Sequence, residues 1–259
     1  MIGEAELNPV DPKAKDAVSR LRAFHRVVAK HSARHYQTLV LNDGAVAYRD
    51  LSLRSNGPTH DFLQRSFSLF TAISELERRN KWPGARMVLG LGFRARGSRR
   101  GIDAAASRVD RILARMAAGE IHPEQAIREA ASIQRYSDGI PQLQANFAFT
   151  RAYVADAAGS RGGLGGPRMF VDAALFENGQ PPAWVTAGPI IPFKDARLNL
   201  TCAFAPVLDL RAPGGRDDDT IPGLRDGLEI GEAIAPTIAL RAVIKAARAA
   251  TDDDDQREA

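Results

Sequence analysis

The strongest constraint on the fold of this chain is a β-hairpin signal in its first fifth. Residues 39–48 read LVLNDGAVAY, so two apolar runs flank the turn sequence Asn42-Asp43-Gly44. Asparagine, aspartate and glycine are the residues that tight two-residue hairpin turns prefer, with glycine supplying a positive φ. The pattern predicts strands over residues 36–41 and 44–51, with the carboxylate of Asp43 at the tip.

Hydrophobic periodicity predicts the remaining elements. Apolar residues at three- and four-residue spacing indicate helices, which we expect over residues 12–33, 60–79, 102–118, 123–134, 144–158 and 233–250. Short apolar runs indicate strands, which we expect over residues 87–96, 168–172, 183–187 and 198–204. A flexible glycine-rich loop is expected over residues 159–166. Helices interleaved with an extended core make the fold class α/β or α+β.

Composition narrows the class of protein. The chain has 259 residues and a single cysteine, Cys202, which fits a reducing cytoplasm and a buried, small apolar role. No run approaches 18 uninterrupted apolar residues, so we expect no membrane partner. The net charge is +4 despite an acidic tail, so the body is basic and can attract anions. Aromatic residues make up 7% and do not alternate with basic ones, so a nucleic-acid partner is not predicted.

Two further stretches accompany the hairpin in a fixed order. The first, MVLGLGF at residues 87–93, is apolar and punctuated by glycines; the second, NFAFTRAY at residues 146–153, leads into PRMFVD at residues 167–172. Together with the hairpin, these stretches resemble the palm-like catalytic domain of class III nucleotide cyclases. Within that class they look most like the pyrimidine cyclases of bacterial anti-phage, Pycsar-type systems.

The resemblance implies an architecture and an activity. It implies a central, mostly antiparallel sheet packed with helices over residues 1–178. We expect residues 179–250 to form a C-terminal extension packed on that domain, and residues 251–259 to be a disordered acidic tail. The implied reaction converts UTP, or secondarily CTP, into the 3′,5′-cyclic monophosphate, an antiviral second messenger that acts on a separate effector. The implied assembly is a head-to-tail homodimer with composite sites.

The resemblance also implies a divalent cation, Mn²⁺ or Mg²⁺, bound by Asp43. Oxygen ligands suit both ions, which would bridge the phosphates of a nucleoside triphosphate. Cyclases of this class use a second aspartate on an opening strand, but this chain begins Met1-Ile2-Gly3 and no aspartate precedes Asp11. Two alternatives follow. The reading frame continues upstream for one strand that ends in an aspartate, or the first metal site is missing and the domain is degenerate.

The predicted helix over residues 144–158 matches the cyclase helix that stabilises the reacting phosphorus. The asparagine and arginine of that helix correspond here to Thr150 and Val154, so Arg151 becomes the candidate for phosphate contact; the alternative is an exposed arginine on an amphipathic helix. The purine-recognising lysine and aspartate correspond to positions near Leu39 and Leu143, both apolar. This is compatible with a smaller pyrimidine base at Leu39.

A basic cluster after the predicted core strand completes the set of candidates. Arg94, Arg96, Arg99 and Arg100 could hold triphosphate, line a subunit interface, or form a solvated loop. The glycine-rich loop lacks the Gly-Lys-Ser/Thr ending of a phosphate-binding Walker motif. Two other functions remain open: a cyclase-homology domain that binds nucleotide or a partner without turnover, and a structural or oligomerising protein with a coincidental Asp-Gly hairpin.

Overall fold

The structure, a computed structural model, describes residues 12–41, 43–95, 104–132, 143, 145–214 and 220–258. In these ranges the chain forms seven helices and seven strands, which confirms the mixed α+β class. The helices are α1 (Pro12–His31), α2 (Gly57–Arg79), α3 (Ala104–Ala117), α4 (Pro123–Ser132), α5 (Phe147–Ala158), α6 (Gly227–Ile234) and α7 (Ile238–Glu258). The strands are β1 (Thr38–Leu41), β2 (Gly44–Ala47), β3 (Met87–Leu89), β4 (Met169–Asp172), β5 (Val185–Ala187), β6 (Ile191–Asp195) and β7 (Leu200–Leu210).

The chain divides into two compact units. Unit 1 comprises Met1–Leu91 and Arg151–Ala259, and unit 2 comprises Gly92–Thr150. The sequence predicted a catalytic domain over residues 1–178 with a C-terminal extension packed on it. The strands β5, β6 and β7 lie in that extension, and β7 pairs with β4 in the sheet of unit 1.

The sheet of unit 1 is built around β7. Its order is β3-β4-β7-β5, and β6 also pairs with β7. In this sheet β3 and β4 run parallel, which the long connection through α3, α4 and α5 permits. The pairings of β7 with β4, β5 and β6 are antiparallel. The expectation of a mostly antiparallel sheet is confirmed.

Strand alternation gives the sheet two apolar faces. Met169 and Val171 of β4 face a core that includes Leu63 of α2 and the buried Ile221 and Ile230 of the C-terminal segment. We call this the α2 face. The opposite side, the α5 face, is packed with Ala155, Leu164, Phe170, Phe193 and Phe204. Both faces are covered, which is why β4 is buried at every position.

The predicted hairpin is confirmed as an antiparallel pair of β1 and β2, in a sheet of its own. Leu41 pairs with Gly44, so two residues lie between the paired positions. The predicted role of the glycine is wrong, because Gly44 begins β2 without a positive φ, and a Cβ there would meet only the Leu41 carbonyl oxygen at 3.7 Å. The hairpin packs through Ala45 and Ala47 on a core of α1 and α2 residues (Phe24, Val28, Leu69, Ile73) together with Tyr36.

The glycine-rich segment is packed, so the prediction of a flexible loop is wrong. Gly159–Gly162 forms a 3₁₀ turn, and the side chain of Leu164 is fully buried. A Cβ on Gly162 would lie 2.8 Å from the Phe193 ring. The Arg86 guanidinium fixes the segment by donating to the Leu164 carbonyl at 3.2 Å. The glycines here permit close approach to β6, which sequence alone does not distinguish from mobility.

Two other elements differ from expectation in length. Strand β3 ends at Leu89, not at residue 96, because the amide of Leu91 turns toward the Asp172 side chain instead of a neighbouring strand. Helix α7 continues to Glu258, where the sequence predicted a disordered tail. Arg248 of α7 donates to Glu229 of α6 at 2.8 Å, which ties the two helices together.

Candidate functional site

The Asp43 carboxylate lies at the exposed tip of the β1–β2 hairpin, where the turn chemistry predicted it. The other member of the turn, Asn42, lies outside the described residues. Among the described residues no group of three or more histidine, cysteine, aspartate or glutamate side chains gathers as a metal site would. Mg²⁺ is often held by one or two carboxylates together with substrate phosphates and waters. At this tip the described structure therefore shows one exposed carboxylate and no gathered set of ligands.

Leu39, the predicted base-contact position, lies on β1 opposite Val46 and is partly buried. Its side chain offers no hydrogen-bond donor or acceptor. The structure therefore gives this strand an apolar, partly accessible position and no polar group for reading a base edge. Leu143, the other apolar position, lies in a turn and is also partly buried.

Thr150 and Arg94 each contact Asn146, and all three residues belong to unit 2. Arg94 and Asn146 form an isolated antiparallel bridge, and Phe147 donates its amide to the Phe93 carbonyl at 2.9 Å. The hydroxyl of Thr150 donates to the Asn146 carbonyl at 3.2 Å, so this hydroxyl is used within its own helix. The other arginines of the predicted basic cluster, Arg96, Arg99 and Arg100, lie outside the described residues.

Asn146 itself is the N-cap of α5. Its side-chain oxygen accepts from the Phe149 amide at 3.0 Å, which satisfies one of the amides that the first turn leaves without a partner. The helix consequently begins at Phe147, three residues later than predicted. Gly92 lies against this first turn, where a Cβ on the glycine would be 2.4 Å from the Ala148 nitrogen. Two of the three sequence stretches that carried the resemblance are therefore in direct contact.

Arg151, the candidate for phosphate contact, forms an ion pair with Asp172 at the end of β4. Its Nη1 donates to Asp172 Oδ2 at 2.7 Å. The Asp172 side chain is 1% exposed and that of Arg151 is 13% exposed. The alternative of a fully exposed arginine is wrong, because the side chain is held against the α5 face of the sheet.

The Asp172 carboxylate accepts from three separate parts of unit 1. Besides Arg151 it accepts from the Ala174 amide at 3.1 Å, as the N-cap of a short 3₁₀ turn, and from the Leu91 amide at 3.4 Å. Asp172 ends the stretch PRMFVD, but the sequence predicted no role for its side chain. The available signal was an acid that ends an apolar strand, since such a charge needs a cation if the strand is buried.

Cys202 lies close enough to this ion pair for both charges to affect the pKa of its thiol. Burial raises the pKa of its thiol to about 12; Asp172 adds to the rise and Arg151 opposes it. A thiol with this pKa stays protonated at neutral pH and is a poor nucleophile. The predicted role of Cys202 as a small apolar residue agrees with its packing beside Phe193 and Phe204.

The candidates thus fall into three groups. Arg151 joins Asp172, Thr150 and Arg94 join Asn146, and Asp43 and Leu39 share the hairpin. In the part of the chain that the structure describes, no helix has the length and hydropathy needed to cross a membrane. Comparisons with protein-family models, with curated proteins and with solved structures find no match to this chain.

Proposed function

We propose that the protein is a pyrimidine nucleotide cyclase, which converts UTP in preference to CTP into the 3′,5′-cyclic monophosphate and pyrophosphate. The observation that carries the proposal is the hydrogen bonding of the Arg151 guanidinium. Its guanidinium is held by a buried carboxylate through one nitrogen only, and it lies on the helix whose sequence resembles the cyclase helix. An arginine fixed in this way can stabilise charge on a phosphate without reorganising during the reaction.

In the proposed reaction the ribose 3′-oxygen forms a bond to the α-phosphorus. The bond from that phosphorus to the oxygen bridging to the β-phosphate breaks, pyrophosphate leaves, and the 3′-hydroxyl proton passes to solvent. Arg151 donates to the phosphate oxygens as their charge redistributes. Asp43 would hold the divalent cation, which when bound lowers the pKa of the hydroxyl and neutralises charge on pyrophosphate. Leu39 supplies an apolar contact and none of the polar groups that purine readers use.

The wider role follows from the same resemblance. We place the enzyme in the cytoplasm, as a head-to-tail homodimer whose cyclic product switches on a separate antiviral effector. The single cysteine supports a reducing compartment. These statements depend on the catalytic proposal and are tested after it.

The decisive assay incubates the protein with Mn²⁺ and each of the four ribonucleoside triphosphates, and detects cyclic products by mass spectrometry. We expect cyclic UMP as the main product. The variant Asp43→Asn keeps a turn-compatible residue and should reduce the rate about 10²-fold or more. Asp16→Asn is the matched control, because Asp16 is also an exposed acid, on α1, and this variant should have no effect. Absence of cyclic product from every triphosphate, also with an upstream extension of the chain, would overturn the proposal.

A second candidate function is nucleotide binding without turnover. It is favoured by the Thr150 hydroxyl, which bonds within α5 instead of being available to substrate, and by the single carboxylate at the hairpin. Calorimetric titration with UTP and CTP separates the two functions. Saturable binding that depends on Asp43, with no product, would favour this second function.

A further inference from the structure

The ion pair between Arg151 and Asp172 uses only one nitrogen of the guanidinium. A guanidinium carries five N–H donors, and its Nε and one Nη lie on one edge as a parallel fork that fits two oxygens of a carboxylate or phosphate. Two other arginines use that edge in full, whereas Arg49 and Arg115 bond to Asp61 and Glu129 through Nη1. Arg20 places Nε and Nη2 on the carboxylate of Glu77, and Arg78 does the same with Glu75.

Arg151 instead reaches Asp172 with Nη1 alone. Among the described residues its Nε and Nη2 make no hydrogen bond, and neither is a fully buried atom without a partner. The forked edge is therefore not used by the protein and retains access to solvent. The remaining fork matches two oxygens of one phosphate group.

Asp172 is suited to fix this orientation. Its two oxygens accept from the Arg151 guanidinium, the Ala174 amide and the Leu91 amide, and the residue is 1% exposed. Two backbone amides from different parts of unit 1 also donate to the carboxylate and restrain its position. The carboxylate occupies Nη1 and thereby determines which edge of the guanidinium remains available.

We infer that Asp172 is a positioning residue, which directs the Nε–Nη2 fork of Arg151 toward a phosphate group of the substrate. This inference rests on the proposed function, because the substrate is taken to be a nucleoside triphosphate. It adds a residue that the sequence resemblance did not assign. It also specifies the mode of recognition, a two-point contact from the forked edge.

The inference can be tested by whether one substitution, Asp172→Asn, weakens or tightens the binding of an anion. Asp172→Asn removes a negative charge beside a phosphate site, so a purely electrostatic effect would tighten the binding of an anion. Loss of positioning should weaken it. With inorganic pyrophosphate as the probe and no added metal, we expect calorimetry to give a Kd about tenfold higher or more in Asp172→Asn. Asp156→Asn is the matched control, because Asp156 is on the same helix and pairs with Arg86 at 2.6 Å; its Kd should change less than about twofold.

Arg151→Lys supplies a second measurement that leaves the buried carboxylate in place. Lysine keeps the charge but has no fork, so pyrophosphate binding should again weaken about tenfold. In an Arg151→Gln background, Asp172→Asn should have no further effect, because its action passes through the arginine. If Asp172→Asn does not fold, as circular dichroism would reveal, the Arg151→Lys result decides the matter.

The outcomes separate this inference from the cyclase proposal. Unchanged or tighter pyrophosphate binding in folded Asp172→Asn, unchanged binding in Arg151→Lys, or no binding by the unaltered protein would overturn the positioning role. Cyclic product from a protein that shows one of these results would leave the cyclase proposal standing. The expected binding pattern without any cyclic product would support the positioning role and retire the cyclase proposal.

Discussion

Asn56, immediately before α2, offers the sharpest test of how unit 1 is held together. The residue is 6% exposed, and its side chain makes three hydrogen bonds with the C-terminal segment. Nδ2 donates to the carbonyls of Ile221 at 3.0 Å and Leu224 at 2.7 Å, and Oδ1 accepts from the Ile221 amide at 2.6 Å. The Asn56 side chain therefore bonds to residues that lie 165 and 168 positions further along the chain.

The effect of Asn56→Ala follows from the groups that lose a partner. The Ile221 carbonyl keeps a bond from the Leu224 amide at 3.3 Å, but the Ile221 amide and the Leu224 carbonyl lose the bonds described above. Each buried polar group without a partner costs about 1–3 kcal/mol. We therefore expect Asn56→Ala to lower the free energy of unfolding by about 3–5 kcal/mol, a large share of the 5–15 kcal/mol typical of a domain.

Urea denaturation followed by circular dichroism measures this loss. Asn80→Ala is the matched control at the other end of α2, because Asn80 is exposed and its single bond to the Leu76 carbonyl can be replaced by water. That variant should change the free energy of unfolding by about 0.5 kcal/mol or less. A loss below about 1 kcal/mol for Asn56→Ala would refute the argument that this side chain anchors the C-terminal segment.

Two further predictions follow from the close contacts and the titrating groups. Gly92→Ala should lower the free energy of unfolding by about 1–3 kcal/mol in urea denaturation, because the new Cβ would lie 2.4 Å from the Ala148 nitrogen; Gly44→Ala, with its nearest atom at 3.7 Å, is the control, and equal stability of the two would contradict the argument. Because the pKa of Cys202 is raised from 9.0 to about 12, its neutral form favours the folded state below pH 9, and this stabilisation is lost as pH rises toward 12. Comparison of unaltered protein with Cys202→Ala over that window should show the unaltered protein losing more stability, and parallel curves would contradict the assignment.

The elements that the sequence predicts best are those with a local signal. The hairpin follows from its turn residues, and α1 and α2 follow from helical periodicity that the observed cores use directly. These signals lie within a few residues of the elements that they specify, so such elements can be predicted without knowledge of the rest of the fold. Agreement between local preference and the final fold is what a stable sequence requires.

Strand β6 shows where local signals fail. Its sequence, residues 191–195, contains Pro192 and Lys194, and only Phe193 is buried. A proline has no amide to donate, so it is tolerated mainly in edge strands, at the first residue of a strand or at bulges. Here β6 pairs with the first half of β7, and among the described strands β7 is its only partner. The extended conformation is imposed by the longer neighbour, which is not visible in five residues.

The prediction of a flexible loop over the glycine-rich segment was wrong for a related reason. Glycine permits mobility and close packing equally, and only the surroundings decide between them. Gly162 and Gly163 pack so closely on β6 that a Cβ would meet Phe193 at 2.8 Å and Ile191 at 2.9 Å. Since β6 itself was not predicted, its contact with this segment could not be predicted either.

The pairing of Arg151 with Asp172 spans 21 residues, but two rules together come close to predicting it. Side chains alternate across a strand, so Phe170 and Asp172 share one face of β4, and Phe170 packs with Ala155 of α5. A carboxylate buried on that face needs a cation beside it. Over Phe147–Ala158, α5 contains a single basic residue, Arg151. Strand alternation therefore predicts that Asp172 lies on the α5 face, and its burial there predicts a cationic partner. The composition of α5 predicts that this partner is Arg151. These rules do not predict which edge of the guanidinium contacts the carboxylate. That choice depends on the amides of Leu91 and Ala174, which hold the carboxylate in place. The phosphate contact inferred for Arg151 depends in turn on which edge remains available.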